Sequence, residues 1–198
     1  MPIEFKNSET SKNLMRAFAG ESQARNRYTI AKGIACQQKL PVLEKVFEYT
    51  ANQEKEHAII FYNHLKELNG ETIAIDGTYP VNNSASLLSL LRSAEQNEFE
   101  EHDNVYKSFA KTAKEEGFGQ VSASFEMIAA IEKTHGERFR ELADLMEKDM
   151  LFASTEVENW VCLNCGHIHT GAKVPLFCPV CQHEQGYFIR KSCAPYTK

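Results

Sequence analysis

Apolar residues recur at intervals of three and four along the first 150 residues, which is the spacing that places side chains on one face of an α-helix. Four such segments are separated by turn-like stretches at 37–41, 71–84 and 115–117. The pattern predicts helices that begin after Ser8–Ser11, at Pro41, near Ser84 or Ser86, and near Val121. They are expected to end near Cys36, at Asn69–Gly70, at 115–117 and near Lys148. Four helices with one apolar face each predict an all-α four-helix bundle over residues 1–150.

Charged residues interrupt the apolar face of each predicted helix near its middle. They are Glu21, Glu54, His57, Glu98, Glu101, Glu132 and His135. One isolated glutamate or histidine at such a position is ordinarily hydrogen-bonded or reaches the surface. Seven unpaired polar groups in one core would be very costly, and a shared metal centre removes that cost. One glutamate from each of two helices, with Glu-x-x-His from the other two, is the ligand set of carboxylate-bridged di-iron bundles. Oxygen-rich ligation with two imidazoles suits iron or manganese.

The third helix leaves one ligand ambiguous. Glu95, Glu98 and His102 also follow three-and-four spacing, so Glu95 competes with Glu101 as its second acid. Tyr28 and Tyr106 lie beside the apolar faces. They are expected either to hydrogen-bond the carboxylates or to pack as ordinary core aromatics.

A second metal site is predicted near the C-terminus, after a linker at 151–158. Residues 159–198 contain two Cys-x-x-Cys pairs, formed by Cys162, Cys165, Cys178 and Cys181. Two such pairs complete a tetrahedral four-thiolate site, and the spacing does not separate zinc from iron. About forty residues bury too small a core to fold alone, and a metal is the usual remedy.

The two remaining cysteines lack such partners. Cys36 is expected to be a small buried residue near a helix end, and Cys193 to be an exposed, oxidisable thiol of the tail.

Composition narrows the function further. The net charge is −5 and the chain has no long basic run, which argues against a nucleic-acid partner. No run of eighteen apolar residues predicts a membrane span, and Met1–Lys6 has no apolar signal region. Paired cysteines without an export signal favour metal binding over disulfides, and we expect a cytoplasmic protein.

The motifs together resemble the rubrerythrin family over nearly the whole chain. They are Ala19-Gly-Glu-Ser-Gln-Ala-Arg-Asn-Arg-Tyr28, Gln53-Glu-Lys-Glu-His-Ala58, Glu98-Phe-Glu-Glu-His102 with Tyr106, Glu132-Lys-Thr-His135, and the rubredoxin-like tail. The resemblance implies a ferritin-like bundle followed by a rubredoxin-like β/loop domain. The family's Glu-x-x-Glu with tyrosine five residues later selects Glu98 and Glu101 over Glu95. One departure is Gln182, where rubredoxins have glycine, so the turn at that position is in question.

The resemblance also implies an activity, a non-haem di-iron peroxidase that reduces hydrogen peroxide to water in oxidative-stress defence. Electrons would come from NAD(P)H through a separate reductase or a rubredoxin, and pass through one iron held by the four cysteines. A head-to-tail homodimer would bring the four-cysteine iron of one subunit near the di-iron site of the other.

The resemblance assigns roles to the ligands as well. Glu54 and Glu132 would bridge the two irons, Glu21 and Glu98 would be terminal ligands, and His135 would hold the second iron. Glu101 would ligate the first iron when oxidised, and His57 would replace it on reduction.

Two other functions fit parts of the sequence. The same bundle ligands suit a ferroxidase that handles iron, although the appended four-cysteine domain favours the peroxidase. A binding or scaffold protein with a zinc ribbon would explain the cysteines, but it would leave the buried-looking carboxylates of the bundle without a role.

Overall fold

Five α-helices and a three-stranded sheet make up the chain in a computed structural model that describes residues 3–194. The helices are α1 (Glu9–Gln37), α2 (Pro41–His64), α3 (Leu87–Glu100), α4 (Tyr106–Glu115) and α5 (Gly119–Glu147). The strands are β1 (Ala153–Cys162), β2 (Ile168–Lys173) and β3 (Phe188–Arg190). The predicted ferritin-like bundle and the small cysteine-containing strand domain are both confirmed.

Local sequence explains where the helices begin. The Ser8 side chain caps α1 by accepting a hydrogen bond from the Ser11 amide, and Ser86 caps α3 in the same way through the Ser89 amide. Pro41 occupies the first turn of α2, where a missing amide hydrogen has no cost.

Two apolar clusters fill the bundle, and the predicted metal ligands lie between them on every helix. On α1, Leu14 belongs to one cluster, Tyr28 to the other, and Glu21 lies between them. On α5, Phe125 and Phe139 flank Glu132 and His135 in the same way. Apolar packing on both sides therefore holds a charged layer in the middle of the bundle.

The third predicted helix is not continuous, which corrects the sequence analysis. A five-residue π-helical segment, Glu101–Val105, separates α3 from α4. The wider turn shifts the buried face by one residue, so that Tyr106 and Ala110 are buried, whereas Val105 and Phe109 are only half-buried. A straight helix would have continued through Val105 and Phe109.

Helix α2 ends earlier than predicted. It stops at His64, and Lys66–Leu68 form a 3₁₀ turn before Gly70, whose φ is +87°. The Leu65 amide bonds the Tyr62 carbonyl three residues back, so the chain tightens from α to 3₁₀ geometry before the glycine reverses it.

The C-terminal sheet has the order β2-β1-β3 and is antiparallel throughout. Trp160, Cys162, Val174, Cys178 and Phe188 form its small core. The stretch predicted as a linker, 151–158, contains the start of β1 at Ala153, and Arg190 bonds Glu158 at 2.7 Å. The domain boundaries at 150 and 159 stay a prediction, and residues 1–2 and 195–198 lie outside the described residues.

The sheet domain packs on the end of the bundle. Val161 and Ile189 join the apolar cluster of the bundle that contains Tyr28. Gly186 is buried so closely against the turn between α1 and α2 that a Cβ atom would lie 2.7 Å from the Lys39 carbonyl oxygen. Across residues 3–194, every helix is too short or too polar to cross a bilayer.

Candidate di-metal and four-cysteine centres

Helices α1, α2, α3 and α5 bring six of the seven predicted bundle residues into two adjoining clusters. Potential ligand atoms within each cluster lie within 4.8 Å of one another. The clusters are Glu21, Glu54, His57 and Glu132, and Glu54, Glu98, Glu132 and His135. Glu54 and Glu132 belong to both, which is the arrangement of carboxylates that bridge two ions.

The interatomic distances show that each of the two shared carboxylates lies between the two histidines. His57 Nδ1 lies 3.0 Å from Glu54 Oε2 and 2.9 Å from Glu132 Oε1. His135 Nδ1 lies 3.1 Å from Glu54 Oε1 and 2.8 Å from Glu132 Oε2. Each bridging carboxylate thus presents one oxygen to each imidazole, and the imidazole rings stack with centroids 5.7 Å apart.

The terminal carboxylates complete the pattern. Glu21 Oε1 lies 3.8 Å from His57 Nδ1, and Glu98 Oε2 lies 3.4 Å from His135 Nδ1. Glu21 and Glu98 therefore lie at opposite ends of the charged layer, one beside each histidine.

The donor atoms fit a pair of metal ions. Buried oxygens of Glu54, Glu132 and Glu98, with Nδ1 of both histidines, make no hydrogen bond to any other group within the described residues. Buried polar atoms without partners are rare in proteins, and here they converge on two points. A metal ion at each point would satisfy them, so the residues fit the di-iron centre that the sequence pattern predicts.

The pKa values of the clustered residues indicate that the site lacks positive charge. Burial, together with nearby Glu132 and Glu54, holds the pKa of Glu21 well above its usual value. Burial and the neighbouring Glu54 raise the pKa of Glu98 to about 8. Burial lowers the pKa of His57, but Glu132 and Glu54 outweigh it and raise that pKa to about 9. In the metal-free protein, protons must therefore supply the missing charge.

Glu101 is the one predicted ligand outside both clusters. It is the first residue of the π segment and is only half-buried. Burial and nearby Glu98 raise the pKa of its carboxyl, and the guanidinium of Arg27 partly opposes them. His57 thus belongs to the cluster of Glu21, and Glu101 does not. The competing residue Glu95 is absent from the site, because it pairs with Arg92 and Arg140 at 2.9 and 2.8 Å.

Both tyrosines hydrogen-bond carboxylates of the clusters, as one of the two readings of the sequence predicted. The Tyr106 hydroxyl donates to Glu21 Oε1 at 2.6 Å, and the Tyr28 hydroxyl donates to Glu98 Oε1. The Tyr28 bond leaves Glu98 Oε2 facing His135, whereas Glu21 Oε1 both accepts from Tyr106 and lies beside His57 Nδ1.

Sequence reasoning assigned no role to Gln53, although it stands in the motif beside Glu54. Its Oε1 lies 3.0 Å from His135 Nε2, so the ring can donate its Nε2 proton there and keep Nδ1 free for a metal. Helical spacing could not reveal this contact, because the two residues lie on different helices.

The four paired cysteines converge as predicted. All four sulfurs lie within 4.8 Å of one another, and the Cys162–Cys181 and Cys165–Cys178 Sγ distances are both 3.7 Å. A tetrahedron with metal–sulfur bonds of about 2.3 Å has edges of roughly 3.8 Å. No disulfide links these residues, and the arrangement fits a rubredoxin-like FeS4 site.

The two loops that hold the cysteines are near copies of each other. The Gly166 amide bonds the Cys162 carbonyl at 2.8 Å, and the Gln182 amide bonds the Cys178 carbonyl at 2.9 Å. Both residues have positive φ, +78° for Gly166 and +60° for Gln182. The turn in question therefore forms with glutamine, at a backbone conformation that favours glycine.

Backbone amides prepare these sulfurs for a cation. The amide of His183 lowers the pKa of the Cys181 thiol to about 6, which favours the thiolate that metals bind. Burial has the opposite effect on Cys162 and raises the pKa of its thiol to about 12.

The unpaired cysteines differ from expectation. Cys36 is exposed at the end of α1 rather than buried. Cys193 is half-buried, and its Sγ donates to Glu141 Oε1 at 3.1 Å. Burial and Glu141 raise the pKa of Cys193 to about 12, which disfavours the oxidisable thiolate.

Comparison with known proteins agrees with both sites. The family model Rubrerythrin matches residues 12–143, and the model of the rubrerythrin rubredoxin-like domain matches residues 160–189. A rubrerythrin of Clostridium perfringens is 45% identical over 184 residues, covering 92% of this chain and 94% of that protein. A rubrerythrin of Porphyromonas gingivalis is 42% identical over 95% of this chain and 92% of its own length.

Solved structures show the same architecture. Nigerythrin in a mixed-valent state superposes with a TM-score of 0.61 at 26% identity, over 91% of this chain and 86% of that one. A bacterioferritin of Desulfovibrio desulfuricans shares the bundle fold, with a TM-score of 0.64 at 22% identity over 72% of this chain and 82% of its own. With both domains matched in order and a di-metal and a four-cysteine site in place, this chain belongs to the rubrerythrin family.

Proposed function

We propose that this protein is a non-haem di-iron peroxidase that reduces hydrogen peroxide to water and receives its electrons through the four-cysteine iron. The observation that carries the proposal is that a di-metal site and a four-cysteine site occur in one chain. A protein that only stores or oxidises iron has no need of a second, redox-active iron site. Membership of the rubrerythrin family agrees with a redox role in oxidative stress.

The two clusters support an assignment of ligands to each iron. Glu21 and His57 would be terminal ligands of one iron, Glu98 and His135 of the other, with Glu54 and Glu132 bridging. Two ferrous ions would supply two electrons, which with two protons convert one hydrogen peroxide to two waters. Glu101, outside the clusters but next to Glu98 on the same helical run, would replace His57 as a ligand after oxidation.

Neighbouring residues would hold the ligands in position. Tyr28 and Tyr106 each direct a hydroxyl proton at a terminal carboxylate. Burial raises the pKa of both phenols well above the usual value, so both remain protonated and keep their hydrogen bonds to these carboxylates. Gln53 would fix the orientation of His135 throughout the cycle.

Electrons would enter through the C-terminal domain. Cys165 is exposed, so the four-cysteine iron would lie close to the surface, where a rubredoxin or an NAD(P)H-dependent reductase can approach. A head-to-tail homodimer would join the four-cysteine iron of one subunit to the di-iron site of the other. Six free cysteines fit the reducing cytoplasm.

An anaerobic stopped-flow experiment tests the activity. Protein of measured iron content is reduced fully and mixed with hydrogen peroxide or, separately, with dioxygen. We expect oxidation of the di-iron site to be at least tenfold faster with peroxide at equal concentration. Faster oxidation by dioxygen would contradict the peroxidase and support the ferroxidase reading of the same ligands.

A further inference from the structure

A cavity of about 760 Å³ lies outside the two metal clusters, beside the bundle. Its walls come from α1, from the segment that crosses between α2 and α3, and from the π segment and the helices on either side of it. The lining residues that matter here are Gly20, Gln23, Tyr79, Asn97, Glu101 and Tyr106.

The cavity lies against one side of the di-metal site. Glu101 lines it, and so does Tyr106, whose hydroxyl donates to Glu21 Oε1 at 2.6 Å. Glu21 itself has no exposed surface, and Glu54 and Glu132 are at most 1% exposed. A molecule in this cavity would therefore meet Glu101 and Tyr106, and Tyr106 in turn bonds Glu21 at one end of the charged layer.

The crossing segment is fastened over the cavity. Arg16 of α1 bonds Asp76 Oδ1 at 2.6 Å, and the Tyr79 hydroxyl donates to the Arg16 carbonyl at 3.3 Å. Gly77 leaves room for the Tyr79 ring, because a Cβ atom there would lie 2.9 Å from it. The ring is thus held at a defined place in the cavity wall.

Gly20 faces the Tyr79 ring from α1. A Cβ atom on Gly20 would lie 3.9 Å from Tyr79 Cε1, which is ordinary contact, so a larger side chain would extend into the cavity. Glycine lowers the stability of a helix interior, and at this position its missing side chain is what keeps the space open.

We propose that this cavity is the entry route of the peroxide, and that Gly20 and Tyr79 set the size of the peroxide admitted. The inference rests on the proposed peroxidase function and adds a substrate class to it. The space greatly exceeds one hydrogen peroxide, since a water molecule occupies about 30 Å³ in the liquid. The substrates that fit are small hydroperoxides, both hydrogen peroxide and short alkyl hydroperoxides.

Filling the cavity from Gly20 is the direct test. In iron-loaded, pre-reduced Gly20→Leu, we expect the second-order rate constant for oxidation by hydrogen peroxide to fall at least tenfold, and that for tert-butyl hydroperoxide to fall further. Gly33→Leu is the matched control, because Gly33 is on the same helix, is exposed, and has open space at its Cβ position. Equal rate constants in the two variants, at equal iron content, would overturn the proposal.

Opening the cavity gives an independent test if Gly20→Leu fails to fold or to bind iron. Tyr79 is 41% exposed and is not one of the clustered residues. Tyr79→Ala should raise the rate constant for tert-butyl hydroperoxide at least threefold and change that for hydrogen peroxide by less than twofold. An unchanged preference between the two peroxides would count against the entry route.

Azide association with the oxidised protein, followed by absorbance, provides a readout that does not depend on turnover. The association rate constant should fall at least fivefold in Gly20→Leu and stay within twofold of wild type in Gly33→Leu. A wild-type protein that ignores peroxide but shows this azide pattern would refute the peroxidase and leave the entry route standing. Equal azide rates in both variants would refute the route alone.

Discussion

The two metal sites of this chain relate to their surrounding structure in opposite ways. In the bundle, two apolar clusters flank the ligands, so the helices have a large core that does not include them. In the C-terminal domain, Cys162 and Cys178 are themselves part of a core of five buried residues. The bundle can therefore pack its core without its metal ligands, whereas two of the four cysteines belong to the core of their own domain.

This difference shows how each site should respond to the loss of its metal. Buried carboxylates without a cation destabilise the bundle, but its apolar packing remains. A small domain whose core is closed by a metal loses most of its folding free energy with the ion. Removing ligands should therefore stabilise one metal-free domain and unfold the other.

The largest expected effect comes from the four-cysteine site. In Cys162→Ser, the domain should lose its iron, and NADH-coupled steady-state turnover with a reductase should fall at least a hundredfold. A single turnover of chemically reduced di-iron protein should stay within twofold of wild type, because its ligands lie on other elements. Cys36→Ser is the control, since Cys36 is an exposed thiol outside the cluster. Surviving steady-state turnover in Cys162→Ser would show that electrons bypass this iron.

A ligand substitution in the bundle should have the opposite effect on stability. Glu21→Gln removes a carboxyl whose pKa is held well above its usual value by burial, while its Oε1 can still accept from Tyr106. Keeping that carboxyl protonated at neutral pH costs free energy, because the unfolded chain would release the proton, so the metal-free variant should be more stable than wild type at pH 7. Chemical denaturation of the metal-free protein would measure the gain.

The same variant should bind the iron pair more weakly, which iron analysis would show alongside the denaturation curve. Glu126→Gln, at an exposed position of α5, should change neither stability nor iron content. A metal-free Glu21→Gln protein less stable than wild type would mean that the carboxyl stabilises the bundle through a contact not accounted for here.

The metal-free bundle should also lose stability as the pH rises. The folded-state pKa of Glu98 is raised to about 8 by burial and Glu54, so the folded protein holds a proton between pH 4.5 and 8 that the unfolded chain releases. His57, raised to about 9 chiefly by Glu132 and Glu54 against burial, extends this range upward from 6.5. Each group contributes its full stabilisation at a pH below its pKa in the unfolded chain. That contribution is lost as the pH rises to its pKa in the folded protein.

Thermal unfolding followed by far-ultraviolet circular dichroism would detect this trend. The melting temperature of the metal-free protein should decrease by several degrees from pH 5 to pH 9. The iron-loaded protein should show a flatter profile, because the metal ions replace those protons. A melting temperature of the metal-free protein that increases over this range would contradict the assigned directions.

Helical periodicity was sufficient to predict most of the bundle site from sequence. Glu54 and His57 share a face because they are three residues apart, and the same holds for Glu132 and His135. The cysteine site was predictable for a similar reason, since each Cys-x-x-Cys pair is local in sequence. Ligands whose relative positions depend only on spacing within one helix or one loop can be predicted before the fold is known.

Features set between elements could not be read in this way. The π segment at Glu101–Val105 lies between two helices that both pack against α5, and it moves the buried face from Val105 to Tyr106. The contact of Gln53 with His135 joins two helices, and the strand from Ala153 is stabilised by pairing with β2 and β3. The predicted continuous helix therefore required correction, and neither the Gln53 contact nor the strand that begins within 151–158 could be predicted.

The smallest effect concerns the two near-identical cysteine loops. Gln182 adopts φ +60° where Gly166 has +78°, and a side chain in this conformation is strained by roughly 1–2 kcal/mol. Gln182→Gly should relieve that strain, partly offset by the greater freedom of glycine in the unfolded chain and by a weak 3.4 Å bond from Gln182 Nε2 to the Pro179 carbonyl. The expected net gain is about 0.5–1 kcal/mol, measured as slower or later loss of the four-cysteine iron absorbance on heating.

The reciprocal change, Gly166→Gln, should lower the stability of the domain by a similar amount. Opposite signs in the two loops would show that backbone conformation decides their stability. A loss of stability in both variants would instead mean that the Gln182 side chain holds its loop together, and the two halves of the site would then be stabilised by different means.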